Sequence, residues 1–116
     1  MQNKIVKVEI ITRSNKFEDL KEALSDIGIT GMTITQVLGY GNQKGSTEYY
    51  RGVPYEINLM PKVKIEIVTD EDLVDTIVKT SRRVLSTGKV GDGKIFVYDI
   101  MNAIRIRTGE EGKDAL

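Results

Sequence analysis

The chain has 116 residues, 40% hydrophobic and 29% charged, enough for one domain around a single core and too apolar for disorder to dominate. Lysine plus arginine and aspartate plus glutamate each number 17, so no bulk charge draws the chain to nucleic acid or to an anionic membrane. Cysteine and histidine are both absent, which removes disulfides, thiolate chemistry, the usual zinc sites and the commonest general acid–base residue. Catalysis would have to rest on carboxylates, lysines, tyrosines or a metal held by oxygen ligands.

The opening MQNKIVKVEI has no apolar signal core, and no run reaches the roughly 18 apolar residues of a membrane span, so the expected location is the cytoplasm. KVEIIT at 7–12 returns as KIEIVT at 64–69, which makes the chain a twofold repeat. After the first copy, Phe17, Leu20, Leu24 and Ile27 recur at steps of three and four, predicting a short amphipathic helix with Asn15 as N-cap and Gly28 at its end. After the second, Leu73, Ile77, Val84 and Leu85, with Val74 and Val78 beside them, predict a longer helix. Thr69 stands as its cap, with Asp72 three residues on, and Gly88 stops it. MTITQVLG and KIFVYDI, rich in β-branched and aromatic residues, add a strand after each helix.

The order β-α-β, long loop, β-α-β is the ferredoxin-like α+β pattern, a single domain over residues 1–116. Val8, Ile10, Ile65 and Ile67 would face the helices. The opposite face pairs Glu9 with Ile11 and Glu66 with Val68, a half-apolar surface for which cover by identical subunits is expected.

Three segments carry candidate chemistry. The first, 39–62, is longer than a strand connection needs and holds Arg51 beside Tyr49, Tyr50 and Tyr55, residue types that dominate protein interfaces. It reads either as a recognition loop or as a twisted hairpin extension whose tyrosines pack together. The second, TGKVGDGK at 87–94, has the composition of a turn whose amides converge on a phosphate, or of a turn only. Its Gly88-x-x-x-x-Gly93-Lys94 string is no P-loop, because Ile95 replaces the magnesium-binding hydroxyl and a strand follows where a helix should begin. The third, IRIRT at 104–108, alternates, so an extended conformation would place Arg105 and Arg107 on one face, to grip an anion or to protect an edge strand. Taken with the lysine-glycine loop, polyphosphate binding explains both arginines better.

GITGMT, QKGSTEYYRGVPY, PKVKIEIV, TGKVGDGKIFV and IRIRTGEEG together resemble the PII nitrogen-regulatory signalling proteins, in the family's order and spacing from about residue 7 to the end. KVEIITR is similar to Gram-positive members. The resemblance implies a homotrimer with ATP or ADP bound between neighbouring subunits. It makes 87–94 the B-loop, 40–58 the T-loop and 104–116 a C-terminal strand and tail. Thr87, Gly91, Asp92, Gly93 and Lys94 would bind nucleotide, with Arg105 and Arg107 reaching the phosphates from the adjacent subunit. Gly31, Thr33, Gly39, Glu66 and Val68 match further nucleotide positions. Gly41, Gln43, Lys44, Gly45 and Lys62 match the 2-oxoglutarate site, with Gln43 on the Mg2+ that bridges ATP and 2-oxoglutarate and Lys62 on the ligand's carboxylate.

The T-loop is the family's contact with targets, through Tyr50, Arg51 and Tyr55. An ammonium transporter, glutamine synthetase and a nitrogen transcription regulator are the implied partners, with a membrane met only through the transporter. Tyr55 matches a nucleotidylylation acceptor of some members. Asn42 stands where many members have a phosphate-touching arginine, Val53 replaces a phosphorylatable serine, and Ser14-Asn15 replaces Pro-Phe. The implied role is that of a signal transducer for ATP, ADP and 2-oxoglutarate in nitrogen assimilation, not an enzyme, although slow ATP turnover is compatible with it. Two rivals are weighed against it. A ferredoxin-like RNA-binding module would stack bases on Phe96 and Tyr98 but lacks a basic stripe. A phosphotransferase or phosphatase would lack a His or Cys nucleophile.

Overall fold

The computed structural model describes residues 4–40, 47–50, 53–56 and 59–116. Strand β1 runs Ile5–Arg13 and leads through a 3-10 turn, Ser14–Lys16, into helix α1, Phe17–Asp26. Strand β2 is Thr33–Tyr40. Two short strands follow, β3 (Thr47–Tyr50) and β4 (Val53–Glu56), and then β5, Leu59–Asp70. A second 3-10 turn, Glu71–Leu73, opens helix α2, Val74–Leu85, and β6 is Lys94–Ile100.

Four strands form one antiparallel sheet in the order β2-β5-β1-β6, and β3 with β4 forms a separate hairpin. This is the expected ferredoxin-like arrangement. The two repeat copies are its central strands, paired with Lys7 against Val68 and Thr12 against Val63. Central strands need apolar residues toward the helices, and the period of two supplies them. Val8 lies between Ile67 and Val97, and Ile10 between Ile65 and Ile95. Val8, Ile10, Ile65 and Ile67 join Leu20 and Leu24 of α1 and Ile77 and Leu85 of α2 in one core, where Val8, Ile10, Ile65 and Ile77 have no accessible surface; Ile95 packs against it and Val97 is exposed.

The helix starts differ from expectation. Asn15 does not cap α1, which has no side-chain cap: the backbone begins to turn at Ser14 and the amide of Phe17 bonds to the Ser14 carbonyl, which puts Asn15 inside the turn. Thr69 is the penultimate residue of β5, and Asp70 takes the capping role, its Oδ1 accepting from the amide of Asp72 at 3.1 Å. The end of α1 is as expected. Gly28, at φ +93°, lets its amide reach the Ser25 carbonyl and that of Ile29 reach the Leu24 carbonyl, both at 3.0 Å, while Ile29 and Leu24 enter the core.

The tail departs further. Residues 104–108 form no strand beyond an isolated bridge between Ile104 and Glu111. The chain doubles back at Gly109, φ +74°, with the Gly109 amide on the Arg105 carbonyl at 2.7 Å and the Arg105 amide on the Glu110 carbonyl at 2.9 Å. The alternating pattern of Ile and Arg is thereby wound into a turn, and Ile106 is left fully exposed.

Candidate functional site

The 87–94 loop is built around one carboxylate. Asp92 accepts from the amides of Thr87 at 2.7 Å and Gly88 at 3.1 Å and from the Thr87 hydroxyl, so it closes the loop on itself. The Thr87 hydroxyl bond is the largest reason that the Asp92 carboxyl is held below the usual aspartate range; the Thr87 and Gly88 amides and the nearby Arg13 add to it. Gly91 and Gly93 have φ of +98° and +112°. Gly93 also passes so close to β1 that a Cβ there would stand 2.1 Å from the Ile11 carbonyl oxygen. Only glycine fits at that position.

The ends of the two central strands hold the loop from outside. Thr12 donates to the Asp92 carbonyl at 2.8 Å. Arg13 donates from Nε to the Gly91 carbonyl at 3.0 Å and from Nη2 to the Val90 carbonyl at 2.8 Å. Lys62, paired with Arg13 in the sheet, reaches the Gly91 carbonyl at 3.2 Å. Gly39 makes room for that lysine, since a Cβ there would meet its Cγ at 3.0 Å. Behind the loop a cavity of about 330 Å³ lies between Asp92, Gly93, Lys94, β1 and the end of α2. Sequence reasoning missed Thr12 and Arg13, which close the loop from nearly 80 residues away.

Lys62, Glu66 and Val68 alternate onto one face of β5, opposite the helices, and Thr33 of β2 is the direct neighbour of Glu66. On this open face Lys7 bridges two carboxylates, 3.1 Å from Glu66 and 3.8 Å from Glu9, and lies 4.5 Å from the centre of the Tyr98 ring. The Tyr98 hydroxyl donates to Glu9 at 3.1 Å. That bond is the main cause of the raised Tyr98 pKa, as the Glu66 bond is for Lys7. Two carboxylates beside Phe96 and Tyr98 repel a phosphate backbone, and the Tyr98 ring already carries a cation.

Arg105 and Arg107 lie in the tail beyond Ile100, whereas the 87–94 loop leads into β6 at its other end, so the two segments flank opposite ends of that strand within one chain. Arg105 donates to Glu110 at 2.9 Å and to the Leu116 carbonyl at 3.0 Å, and Arg107 is exposed. Gly31 precedes β2 in open space. Tyr50 and Tyr55 fall on the two strands of the hairpin, Tyr50 opposite Val53 and Tyr55 opposite Glu48. Gly41, Asn42, Gln43, Lys44, Gly45 and Arg51 lie outside the described residues. No described helix is long and apolar enough to cross a membrane.

A ferredoxin-like sheet with a carboxylate-closed glycine loop at the end of its central strands defines a small α+β protein. The family model for Nitrogen regulatory protein P-II matches residues 5–110. Nitrogen regulatory protein P-II 1 of Escherichia coli (strain K12) is 56% identical over 110 residues, 95% of this chain and 98% of the relative. Nitrogen regulatory protein P-II of Pasteurella multocida is 54% identical over the same length. Among solved structures, B. subtilis GlnK is 54% identical with a TM-score of 0.80, over 97% of this chain and 99% of that one. A B. subtilis GlnK-ATP complex is 45% identical with a TM-score of 0.79, over 99% and 100%. The chain belongs to the nitrogen regulatory protein P-II family, and the E. coli and P. multocida relatives are named as regulatory proteins.

Proposed function

We propose that this protein is a trimeric sensor that binds ATP or ADP between subunits and 2-oxoglutarate beside the nucleotide, and passes the result to target proteins through residues 40–58. The 87–94 loop carries the reading: Gly88, Gly91 and Gly93 turn it at positive φ, Gly93 lies too close to β1 for a side chain, and a relative 45% identical was solved as an ATP complex. Gly91, Asp92, Gly93 and Lys94 hold the phosphates, with Asp92 shaping the loop through Thr87. Gly31, Thr33, Glu66 and Val68 hold the purine and ribose, and Gly39 gives Lys62 its room.

The separation of Arg105 and Arg107 from the loop supports their acting across a subunit boundary. The exposed Phe96, Tyr98, Leu38 and Met101 supply apolar surface for that boundary. Lys62 pairs with a 2-oxoglutarate carboxylate, and the backbone of Gly41, Lys44 and Gly45 lines the same site. The amide oxygen of Gln43 is a hard, neutral donor of the kind Mg2+ takes beside phosphate and carboxylate oxygens. Gln43 would thus help hold Mg2+, which would supply positive charge for the phosphate and carboxylate oxygens. Tyr50, Arg51 and Tyr55 contact the target, an ammonium transporter, glutamine synthetase or a transcription regulator in the cytoplasm, and Tyr55 is the candidate nucleotidylylation acceptor.

Calorimetric titration of ATP-Mg with and without 2-oxoglutarate tests this reading. Tighter ATP binding in the presence of 2-oxoglutarate, reciprocated when the order is reversed, is the expected result. Uncoupled ATP binding would remove the Gln43 and Lys62 assignments, and no ATP binding would remove the nucleotide site.

A further inference from the structure

We propose that Arg13 is a positioning residue that presents the 87–94 loop to phosphate, an inference that rests on the nucleotide reading above. Arg13 ends β1, and its guanidinium takes two consecutive carbonyls at once, Gly91 at 3.0 Å and Val90 at 2.8 Å. A planar fork suits two adjacent acceptors in a way that an ammonium does not. The preceding residue, Thr12, takes the next carbonyl, that of Asp92, at 2.8 Å. Three successive carbonyls are therefore turned toward the end of β1. All described peptide bonds are trans, so each of these peptides aims its N–H the opposite way, and the amides of Gly91, Asp92 and Gly93 face away from β1. Successive amides on one side of a turn are what an anion requires.

Lys62 is the second cation on the Gly91 carbonyl, at 3.2 Å. It is also the residue that an acidic ligand beside the nucleotide would draw off. Arg13 has two contacts where Lys62 has one, so the loop keeps its orientation when Lys62 leaves. The clamp thus lets the two ligand sites share a residue without the phosphate loop collapsing.

The test compares Arg13→Gln and Arg13→Lys with the wild type by ATP-Mg calorimetry and by the heteronuclear NOE of the Gly91 and Gly93 amides in ligand-free protein. Arg13→Gln is expected to weaken ATP about tenfold and AMP less, with both glycine NOE values falling and the melting temperature nearly unchanged. Arg13→Lys, which can serve one carbonyl, should recover part of the affinity and part of the NOE. Unchanged ATP affinity in Arg13→Gln, or unchanged glycine NOE values, overturns the positioning role alone. Wild-type protein that fails to bind ATP overturns the nucleotide reading and the role with it.

Discussion

Asp92 and Gly93 show how much of a loop's behaviour rests on single residues. Asp92 is held below the ordinary aspartate range by bonds that its ionised form accepts more strongly, on both oxygens. The lowered native value fixes the sign: the support is complete above the ordinary range near pH 4 and is lost as the pH falls through the native value. The Thr87 amide proton shift should therefore stay flat at neutral pH and titrate only in acid, below the usual aspartate pKa; in Asp92→Asn that titration should vanish. Gly93→Ala places a methyl against the Ile11 carbonyl and demands φ near +112° of a side-chain-bearing residue. A loss of at least about 2 kcal/mol is expected in chemical denaturation at unchanged slope. Both residues stood out in the sequence as members of a phosphate-type turn. Their reasons did not, because Ile11, Thr12 and Arg13 reach the loop only through the pairing of β1 with β6.

Elements were legible where a periodic pattern met a core. Both helices and all four strands of the sheet follow from steps of three, four and two, and KIFVYDI coincides with β6. Substituting Ile65, which has no accessible surface and lies between Ile10 and Ile34, by alanine should cost about 2–5 kcal/mol, measured by urea unfolding. Gly28→Ala at the end of α1 is a milder case, since open space surrounds its Cβ position and only the positive φ is penalised, about 1 kcal/mol in the same assay. The caps were misplaced because a 3-10 turn precedes each α-helix and shifts the start of turning. The alternating 104–108 segment looked like a strand because alternation is the strand signal. Gly109 and the bond of Arg105 to Glu110 turn it back before any strand can be extended. The long 39–62 connection carries a hairpin of β3 and β4, and its recognition role belongs to the proposed function.

Across the molecule, one sheet face is covered by α1 and α2, and among the described residues no helix covers the other. The open face mixes a satisfied cluster of Lys7, Glu9, Glu66 and Tyr98 with the exposed Phe96 and Val68. Under the proposed trimer, light scattering on the eluted protein should give three times the chain mass. Phe96→Glu should lower that mass while far-ultraviolet circular dichroism stays unchanged, because Phe96 lies outside the core.

The sequence by itself determined the class of fold, the single core and the residue types of the loop, because periodicity, glycine placement and local composition are properties of neighbours along the chain. The twofold repeat even marked the two strands that lie side by side at the centre of the sheet. Which carbonyls Arg13, Thr12 and Lys62 hold, why Gly93 admits no side chain, that Asp92 faces its own loop, and that Arg105 and Arg107 follow the opposite end of β6 were settled only by the tertiary structure. Those facts depend on contacts between segments far apart in the chain, and such distances are set by strand register and by where the backbone turns.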